Sequence, residues 1–297
     1  MKLVVTGASG LYGSKLVEFA VDQGHQVYAF HNQHPAPHGT PVKLDITSKE
    51  ELQAEIQRIQ PDAIVHAATL TGVDQCELNR ELAWKINVEG TQSIVEAAKA
   101  TGAFLLYVST DYVFDGEKGG YTEDDLPSPV NYYGYTKLKA EEAVKKSSSE
   151  YCIGRTSVIY GSTPAAGKIN FALWLLDELR KGEQVKVFVD QWNSPTLNSS
   201  LADMTLEVVE RKLTGVFHLS GASRINRYEF AMALAKTSGV DESLVVPARS
   251  EELSFPAKRP KDSSLDTTKA QQTLKHKPLQ IAEALKRLKT ETNKPQE

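Results

Sequence analysis

Cysteine is scarce in this chain, since only Cys76 and Cys152 occur among its 297 residues. The two lie far apart, and neither belongs to a CxxC pair or has a group of histidines beside it. This pattern argues against a disulfide framework and against a zinc site, and it fits a reducing compartment. We therefore expect no metal ion in the functional site.

Long apolar runs and an excess of positive charge are also missing. No apolar stretch approaches the ~18 residues that a membrane-spanning helix needs. The chain starts with Met1, Lys2 and a short apolar strand, which leaves no room for a signal peptide. A formal net charge of -4 gives no electrostatic attraction to nucleic acid or to an anionic membrane. We expect a soluble, cytoplasmic protein that binds neither.

The first half of the chain alternates short apolar runs with segments of helical periodicity. Strands are predicted at 3–5, 26–30, 63–67, 104–109 and 152–159, and helices at 11–23, 51–60, 83–101 and 133–146. Continuous apolar strands that alternate with helices predict an α/β fold with a parallel sheet covered on both faces. Since crossovers are right-handed, we expect the doubly wound sheet of an NAD(P)-binding Rossmann fold.

The alternation loosens after residue 160. Helices are predicted at 169–181, 227–238 and 281–290, and strands at 185–189 and 215–219. We predict a dinucleotide-binding Rossmann domain over residues 1–160, with its sheet completed by segments within about 185–235. Residues 161–297 would then form mostly a smaller, discontinuous substrate-binding lobe.

Glycines mark the turn between the first strand and the first helix, where Gly7, Gly10 and Gly13 form a GxxGxxG pattern. Glycine permits a tight turn and a close backbone approach, and a helix N-terminus offers unpaired N–H groups to a pyrophosphate. The turn therefore predicts a dinucleotide site, and a simple loop without a ligand is the alternative.

The end of the second strand bears on the choice of dinucleotide. An acidic residue normally holds the ribose diol of NAD there, but this chain reads Ala-Phe-His-Asn-Gln-His over residues 29–34. Without an acid, His31 or Asn32 could donate hydrogen bonds to a 2′-phosphate, so NADP is favoured and NAD stays possible. Asp45, followed by Ile46, could place a carboxylate beside the adenine amino group; an exposed loop residue is the alternative.

The candidate catalytic residues lie further along the chain. Tyr133 and Lys137 are four residues apart at the start of a helix, which puts them on one face. A nearby ammonium is expected to lower the phenol's pKa from its usual value near 10, and so to make Tyr133 a proton donor to a carbonyl that receives hydride. Thr110 or Ser109, at the end of a buried strand, would hold the substrate oxygen. An exposed helix pair and a threonine that only bonds its own turn are the alternatives.

Two stretches carry a resemblance to a known family: STDYVFDG at 109–116 and YGYTKLKAE from Tyr133. Over nearly its whole length the sequence resembles an extended short-chain dehydrogenase/reductase, and more narrowly the dTDP-4-dehydrorhamnose reductase family. The supporting stretches are Thr71–Asp74 with Glu77, Asn87–Thr91, Arg155–Ser157, Asp190–Gln191 with Pro195–Thr196, and Arg259–Pro260 with Ser264–Asp266.

The resemblance implies a catalytic set of Thr110, Tyr133 and Lys137. It places the cofactor contacts at Gly7, Gly10, Leu11, Tyr12, Asp45, Ile46, Ala67, Ala68, Thr69 and Val108, with Tyr133 and Lys137. Val73 and the loop 190–196, which contains Trp192, would lie toward the substrate. The implied reaction is reduction of the 4-keto group of a dTDP-6-deoxy-hexose by NADPH or NADH, in dTDP-L-rhamnose synthesis. A nucleotide-sugar substrate and a homodimer follow from the same resemblance.

Two departures from the family pattern bear on the sugar. The family commonly has tryptophan after Arg-Thr-Ser, where it flanks the sugar ring, but Val158 stands here. Glycine usually follows the Asp-Gln-aromatic run, whereas Asn193 follows Trp192 in this chain. Loss of an aromatic wall weakens stacking on the sugar, and Trp192 could supply a compensating face.

Two other functions stay open. One is a nucleotide-sugar epimerase or dehydratase, although Thr110-Asp111 lacks the Asp-Glu pair expected of a dehydratase. The other is the non-catalytic, NADP-binding regulatory subunit of methionine adenosyltransferase, a branch that resembles these reductases. Retention of Thr110, Tyr133 and Lys137 favours chemistry over binding alone.

Overall fold

A seven-stranded parallel sheet lies at the centre of the computed structural model, which describes residues 1–147, 150–165 and 169–293. Its strands are β1 (Lys2–Thr6), β2 (Gln26–His31), β3 (Thr40–Lys43), β4 (Ala63–His66), β5 (Phe104–Thr110), β6 (Tyr151–Thr156) and β11 (Gly215–His218). The spatial order is β3-β2-β1-β4-β5-β6-β11, and every neighbouring pair is parallel. The order reverses between β1 and β4, which is where such sheets bind ligands. The predicted doubly wound Rossmann sheet is confirmed.

Helices cover both faces of this sheet. One face packs against α1 (Leu11–Asp22) and α8 (Asn198–Glu210); the other packs against α2 (Lys49–Ile59), α5 (Gly90–Thr101) and α6 (Tyr132–Lys146). Within β1, Leu3 and Val5 join the first core cluster and Val4 joins the second. Successive side chains of a strand point to opposite faces, so a strand buried on both sides is a continuous apolar run.

A third core cluster lies outside the sheet, among residues of the second half. Its helices are α7 (Phe171–Arg180), α9 (Arg227–Ser238) and α11 (Ile281–Thr292). Short strands pair beside them: β7 (Ile159–Tyr160) with β10 (Thr196–Leu197), β8 (Val185–Phe188) with β13 (Val245–Ala248), and β9 (Trp192–Asn193) with β12 (Ile225–Asn226). The strand predicted at 215–219 extends the central sheet, whereas the one predicted at 185–189 pairs with β13. The division into two domains stays a prediction.

Two predicted elements differ in detail from the structure. The helix predicted at 83–101 begins earlier, with α4 (Arg80–Trp84), and passes through a π-helical turn (Lys85–Glu89) before α5. The strand predicted at 152–159 is broken after Thr156, because Ser157 turns inward and donates a hydrogen bond to a buried carboxylate. The periodicity of apolar residues indicates neither the π-helical turn nor the break in the strand.

Two further α-helices are short: α3 (Val73–Leu78) and α10 (Thr268–Thr273). Among the helices of the described ranges, none is both long enough and apolar enough to cross a membrane.

Candidate active site

The glycine turn packs directly against the end of β4. Gly7 has a φ of 69°, and a Cβ added to it would lie 2.8 Å from the backbone nitrogen of Ala68. The Thr6 hydroxyl oxygen accepts hydrogen bonds from the N–H groups of Ala67 (3.2 Å) and Ala68 (3.1 Å). The structure thus brings two predicted cofactor segments together at the switch point of the sheet, at the N-terminus of α1.

Gly7→Ala is expected to weaken NADPH binding at least ~10-fold, because the added methyl group would press on the backbone of Ala68 and displace the turn that meets the cofactor. Fluorescence titration with NADPH measures the change. Gly24→Ala is the matched control, since Gly24 also has a positive φ (81°) but has no atom within 4 Å of its added Cβ. Equal weakening in both variants would contradict the assignment of the turn.

The side chains predicted to lie near the adenosine also converge. Asn32, just after β2, donates a hydrogen bond from Nδ2 to Oδ2 of Asp45 at 3.4 Å, and Asp45 also accepts from the N–H and hydroxyl of Thr47. Nδ1 of His31 is buried and has no hydrogen-bond partner among the described residues. The hydroxyl of Tyr12, in contrast, donates to Thr205 in α8 at 2.7 Å, so only its backbone is available to a ligand at the start of α1.

The first turn of α6 is anchored so that Tyr133 lies beside the end of β5. Oδ1 of Asn131 caps the helix by accepting from Gly134 N–H at 2.9 Å, and its Nδ2 donates to the carbonyl of Lys258. Gly134 allows close contact, since a Cβ there would lie 2.0 Å from the carbonyl oxygen of Tyr112. Tyr112 and Tyr133 meet edge to face, with ring centroids 6.0 Å apart.

The predicted catalytic side chains lie together, but their electrostatics differ from the sequence expectation. Thr110 and Tyr133 both lie against Tyr112, whose N–H donates to Thr110 and whose ring meets that of Tyr133, and burial raises the pKa of Tyr133 well above its usual value. Nζ of Lys137 donates to the carbonyl of Val108 at 2.8 Å and lies 4.3 Å from the ring centroid of Tyr107. The predicted fall in the phenol's pKa is therefore wrong for this structure, because helical spacing does not reveal burial. A phenol with a raised pKa is protonated at neutral pH and suits proton donation.

A buried ion pair lies one helical turn beyond Lys137, and the sequence reasoning assigned it no role. Glu141 accepts hydrogen bonds from Arg155 Nε (2.9 Å) and Nη2 (2.8 Å) and from the Ser109 hydroxyl (2.6 Å). Burial lowers the pKa of Lys137 to about 7, and the Glu141 charge works against this fall. The sequence does contain one indication of this pair: Tyr133, Lys137 and Glu141 follow one another at four-residue intervals, which puts Glu141 on the same face of α6.

Asn87, in the π-helical turn, joins the loop after β4 to α6. Its Oδ1 accepts from the Thr69 hydroxyl (2.8 Å) and from Leu70 N–H (2.7 Å), and its Nδ2 donates to the Thr136 hydroxyl (3.0 Å). π-turns frequently occur at functional sites. This one fixes the predicted cofactor residue Thr69 relative to the catalytic helix.

His66, at the end of β4, is a packing residue. Its two ring nitrogens contact the hydroxyls of Thr6 (2.7 Å) and Thr91 (3.0 Å). Burial, with a smaller effect from the Lys137 charge, lowers the pKa of His66 to about 3. The ring is therefore neutral at pH 7.

A cavity of about 450 Å³ lies near the start of α6, since the carbonyl of its lining residue Lys258 accepts a hydrogen bond from Asn131. It is lined by Asp190, Gln191, Trp192, Arg249, Ser250, Glu251, Phe255, Ala257, Lys258, Arg259, Pro260 and Lys261. Four of these residues are basic and two are acidic, so the lining carries excess positive charge. Arg259 is held by Asp74 through two hydrogen bonds of 3.0 and 2.7 Å, which places the cavity beside the predicted substrate residue Val73.

Val158 and Trp192 line different cavities. Val158 borders a smaller one with Tyr160, Phe171, Arg227 and Phe230 among its walls, so aromatic rings adjoin the position where the family pattern has tryptophan. The stacking role of Trp192 stays a prediction. Across the described ranges, no group of three or more His, Cys, Asp and Glu side chains is placed to hold a metal ion, and both cysteines are buried and free.

Comparison with known proteins gives consistent matches over nearly the whole chain. The family model described as the RmlD substrate binding domain matches residues 1–293. A dTDP-4-dehydrorhamnose reductase from Aggregatibacter actinomycetemcomitans is 33% identical over 97% of this chain and 98% of its own length. The methionine adenosyltransferase 2 subunit beta of Rattus norvegicus is 31% identical over 90% of this chain and 81% of its own length.

A solved structure also matches this chain over nearly its whole length. The dTDP-4-dehydrorhamnose reductase of Bacillus anthracis str. Ames, in complex with NADP, superposes with a TM-score of 0.88 at 32% identity. The match covers 98% of this chain and 99% of that one. The chain belongs to the RmlD substrate binding domain family, that is, to the dTDP-4-dehydrorhamnose reductase family of extended short-chain dehydrogenases/reductases.

Proposed function

We propose that this protein is a dTDP-4-dehydrorhamnose reductase, which uses NADPH to reduce the 4-keto group of a dTDP-6-deoxy-hexose. The observation that carries the proposal is the half-buried, protonated Tyr133, which packs on Tyr112 beside Thr110 and lies one helical turn from Lys137, in a chain of this family. A regulatory protein would need the fold and the glycine turn but not a positioned proton donor.

The residues at the cofactor end fit a nicotinamide dinucleotide. Gly7 leaves space that a Cβ would fill, and the unpartnered Nδ1 of His31 offers a hydrogen-bonding group at the end of β2. NADP is preferred over NAD because no acid ends β2 and because the similar Bacillus anthracis reductase was solved with NADP. When bound, the reduced nicotinamide supplies the hydride.

The protein's own residues handle the proton. As hydride reaches the carbonyl carbon, Tyr133 donates its phenolic proton to the oxygen, so that ketone, hydride and proton balance as an alcohol and a phenolate. Lys137, fixed by the Val108 carbonyl, stabilises that phenolate and can hydrogen-bond the nicotinamide ribose. Thr110 holds the substrate oxygen or the Tyr133 hydroxyl in line.

The basic cavity is the proposed site for the rest of the substrate. A diphosphate favours arginine and lysine, and Arg249, Lys258, Arg259 and Lys261 outnumber the two carboxylates of the lining. The thymidine and the 6-deoxy sugar are inferred from the names of the similar reductases. A cytoplasmic location and a homodimer stay predictions from the sequence.

The experiment that tests the function follows NADPH oxidation at 340 nm with dTDP-4-keto-6-deoxy-L-mannose, with NADH measured in parallel. We expect turnover with NADPH. Tight NADPH binding without oxidation would contradict the proposal and favour a regulatory role. Interconversion of sugars without net NADPH oxidation would instead favour an epimerase.

A further inference from the structure

A carboxylate with no cationic partner is buried directly beside the candidate catalytic threonine. Asp111 is 2% exposed and follows Thr110 at the end of β5. Its Oδ1 accepts a hydrogen bond from the Thr110 hydroxyl (2.9 Å), and its Oδ2 accepts from the hydroxyls of Ser157 (2.7 Å) and Ser263 (2.5 Å). No salt bridge to Asp111 occurs in the part of the chain that the structure describes.

The three hydroxyls come from three separate segments. Thr110 ends β5, Ser157 occupies the break after β6, and Ser263 belongs to the segment that follows the basic cavity. Ser157 is itself fixed, because its oxygen accepts from Ser194 N–H at 3.3 Å. Ser157 and Ser263 therefore hold the Asp111 carboxylate in one orientation through Oδ2, while its Oδ1 faces Thr110.

The hydroxyl of Thr110 can donate its single proton to only one acceptor at a time. A hydroxyl has one proton to donate and two lone pairs, and here the proton goes to Asp111 while one lone pair accepts from Tyr112 N–H at 3.2 Å. The remaining lone pair is free to accept from a neighbouring O–H. The nearby phenol is that of Tyr133, whose ring meets the ring of Tyr112, the residue whose N–H binds Thr110.

We propose that Asp111 is a positioning residue, which fixes the direction of the Thr110 hydroxyl so that its oxygen accepts from Tyr133 and aims the phenolic proton. Two observations support this role: three hydroxyls converge on a fully buried carboxylate, and the described residues place no cation beside it. The inference rests on the proposed reductase function and deepens it, since Asp111 acts on the proton donor through Thr110.

The stability of the variant separates this role from a merely structural one. Burial raises the pKa of Asp111 despite the three hydroxyls. A raised pKa means that the folded state binds the proton more tightly, so the stability from this group is present at low pH and is lost as pH rises through the folded-state value. At neutral pH the group therefore contributes less stability than at low pH, and Asp111→Asn should unfold at a temperature no lower than wild type.

The test is a double-mutant cycle in the NADPH oxidation assay. Asp111→Asn is expected to lower kcat ~10-fold with little change in KM, because a neutral amide is a weaker hydrogen-bond acceptor than a carboxylate. In a Thr110→Val background the same change should cost less than ~2-fold, since the group through which it acts is gone. An equal loss in both backgrounds, or a loss matched by a lower unfolding temperature, would overturn the inference.

Two further measurements complete the design. Ser263→Ala removes a hydroxyl from the other carboxylate oxygen, so we expect less effect on kcat than from Asp111→Asn; an equal effect would indicate general loosening and overturn the inference. Crystal structures provide a readout independent of turnover: Thr110 Oγ1 should move in Asp111→Asn and keep its position in Ser263→Ala. An inactive wild type would refute the proposed function alone, whereas an unmoved Thr110 would refute this inference alone.

Discussion

Tyr133→Phe is expected to lower kcat for NADPH-dependent ketone reduction at least ~10²-fold, the usual contribution of a positioned proton donor. The substitution removes one oxygen and leaves the ring, so its edge-to-face contact with Tyr112 persists. Burial raises the pKa of Tyr133, so the wild-type phenol is fully protonated at neutral pH and the variant loses a donor rather than a base. Steady-state kinetics at 340 nm measure the loss.

Tyr135→Phe is the matched control for that experiment. Tyr135 lies on the same helix but is 39% exposed, beside Tyr132 and Trp84. We expect it to keep kcat and the NADPH dissociation constant close to their wild-type values. Activity of Tyr133→Phe above a tenth of the wild-type level would show that another group donates the proton.

Glu141→Gln is expected to lower the free energy of unfolding by about 3–5 kcal/mol, because it leaves the Arg155 charge buried without its counter-charge. Glu141 and Arg155 are both fully buried and share two hydrogen bonds, and Ser109 donates a third to Glu141. Nη1 of Arg155 already has no partner among the described residues, so little is available to compensate. Urea denaturation followed by circular dichroism measures the change.

Glu142→Gln is the control, since Glu142 is adjacent but 39% exposed and forms a surface ion pair with Lys139. Such pairs contribute about 0–1 kcal/mol to the free energy of unfolding.

Burial acts to raise the pKa of Glu141, but the hydrogen bonds and charge of Arg155 outweigh it and lower that pKa. The stability from Glu141 is therefore present above the unfolded-state pKa and is lost as pH falls through the folded-state value. A Glu141→Gln variant as stable as Glu142→Gln at pH 7 would contradict this account.

Sequence spacing was enough for the residues whose role depends on local geometry. Gly7 follows a strand and opens a helix, and Tyr133 and Lys137 share a helix face, so their placement follows from strand and helix periodicity. Because parallel strands end at one edge of a sheet, Thr110 and the glycine turn were also expected in the same crevice.

The rest depends on contacts between segments far apart in the sequence. Ser157 and Ser263 are 46 and 152 residues from Asp111, and no periodicity indicates that all three meet. The Glu141–Arg155 pair joins a helix to a strand in the same way. The rise in the pKa of Tyr133 reflects burial, which spacing along a helix cannot reveal.

The most direct test of the central claim uses NADPH that carries deuterium at both C4 positions of the nicotinamide, together with dTDP-4-keto-6-deoxy-L-mannose, and the product is analysed by NMR and mass spectrometry. The account predicts one deuterium per product molecule, located at C4 of the sugar, and at least ~10²-fold slower formation with Tyr133→Phe. Unchanged keto sugar in the presence of bound NADPH, or a reduced sugar without deuterium at C4, would contradict it.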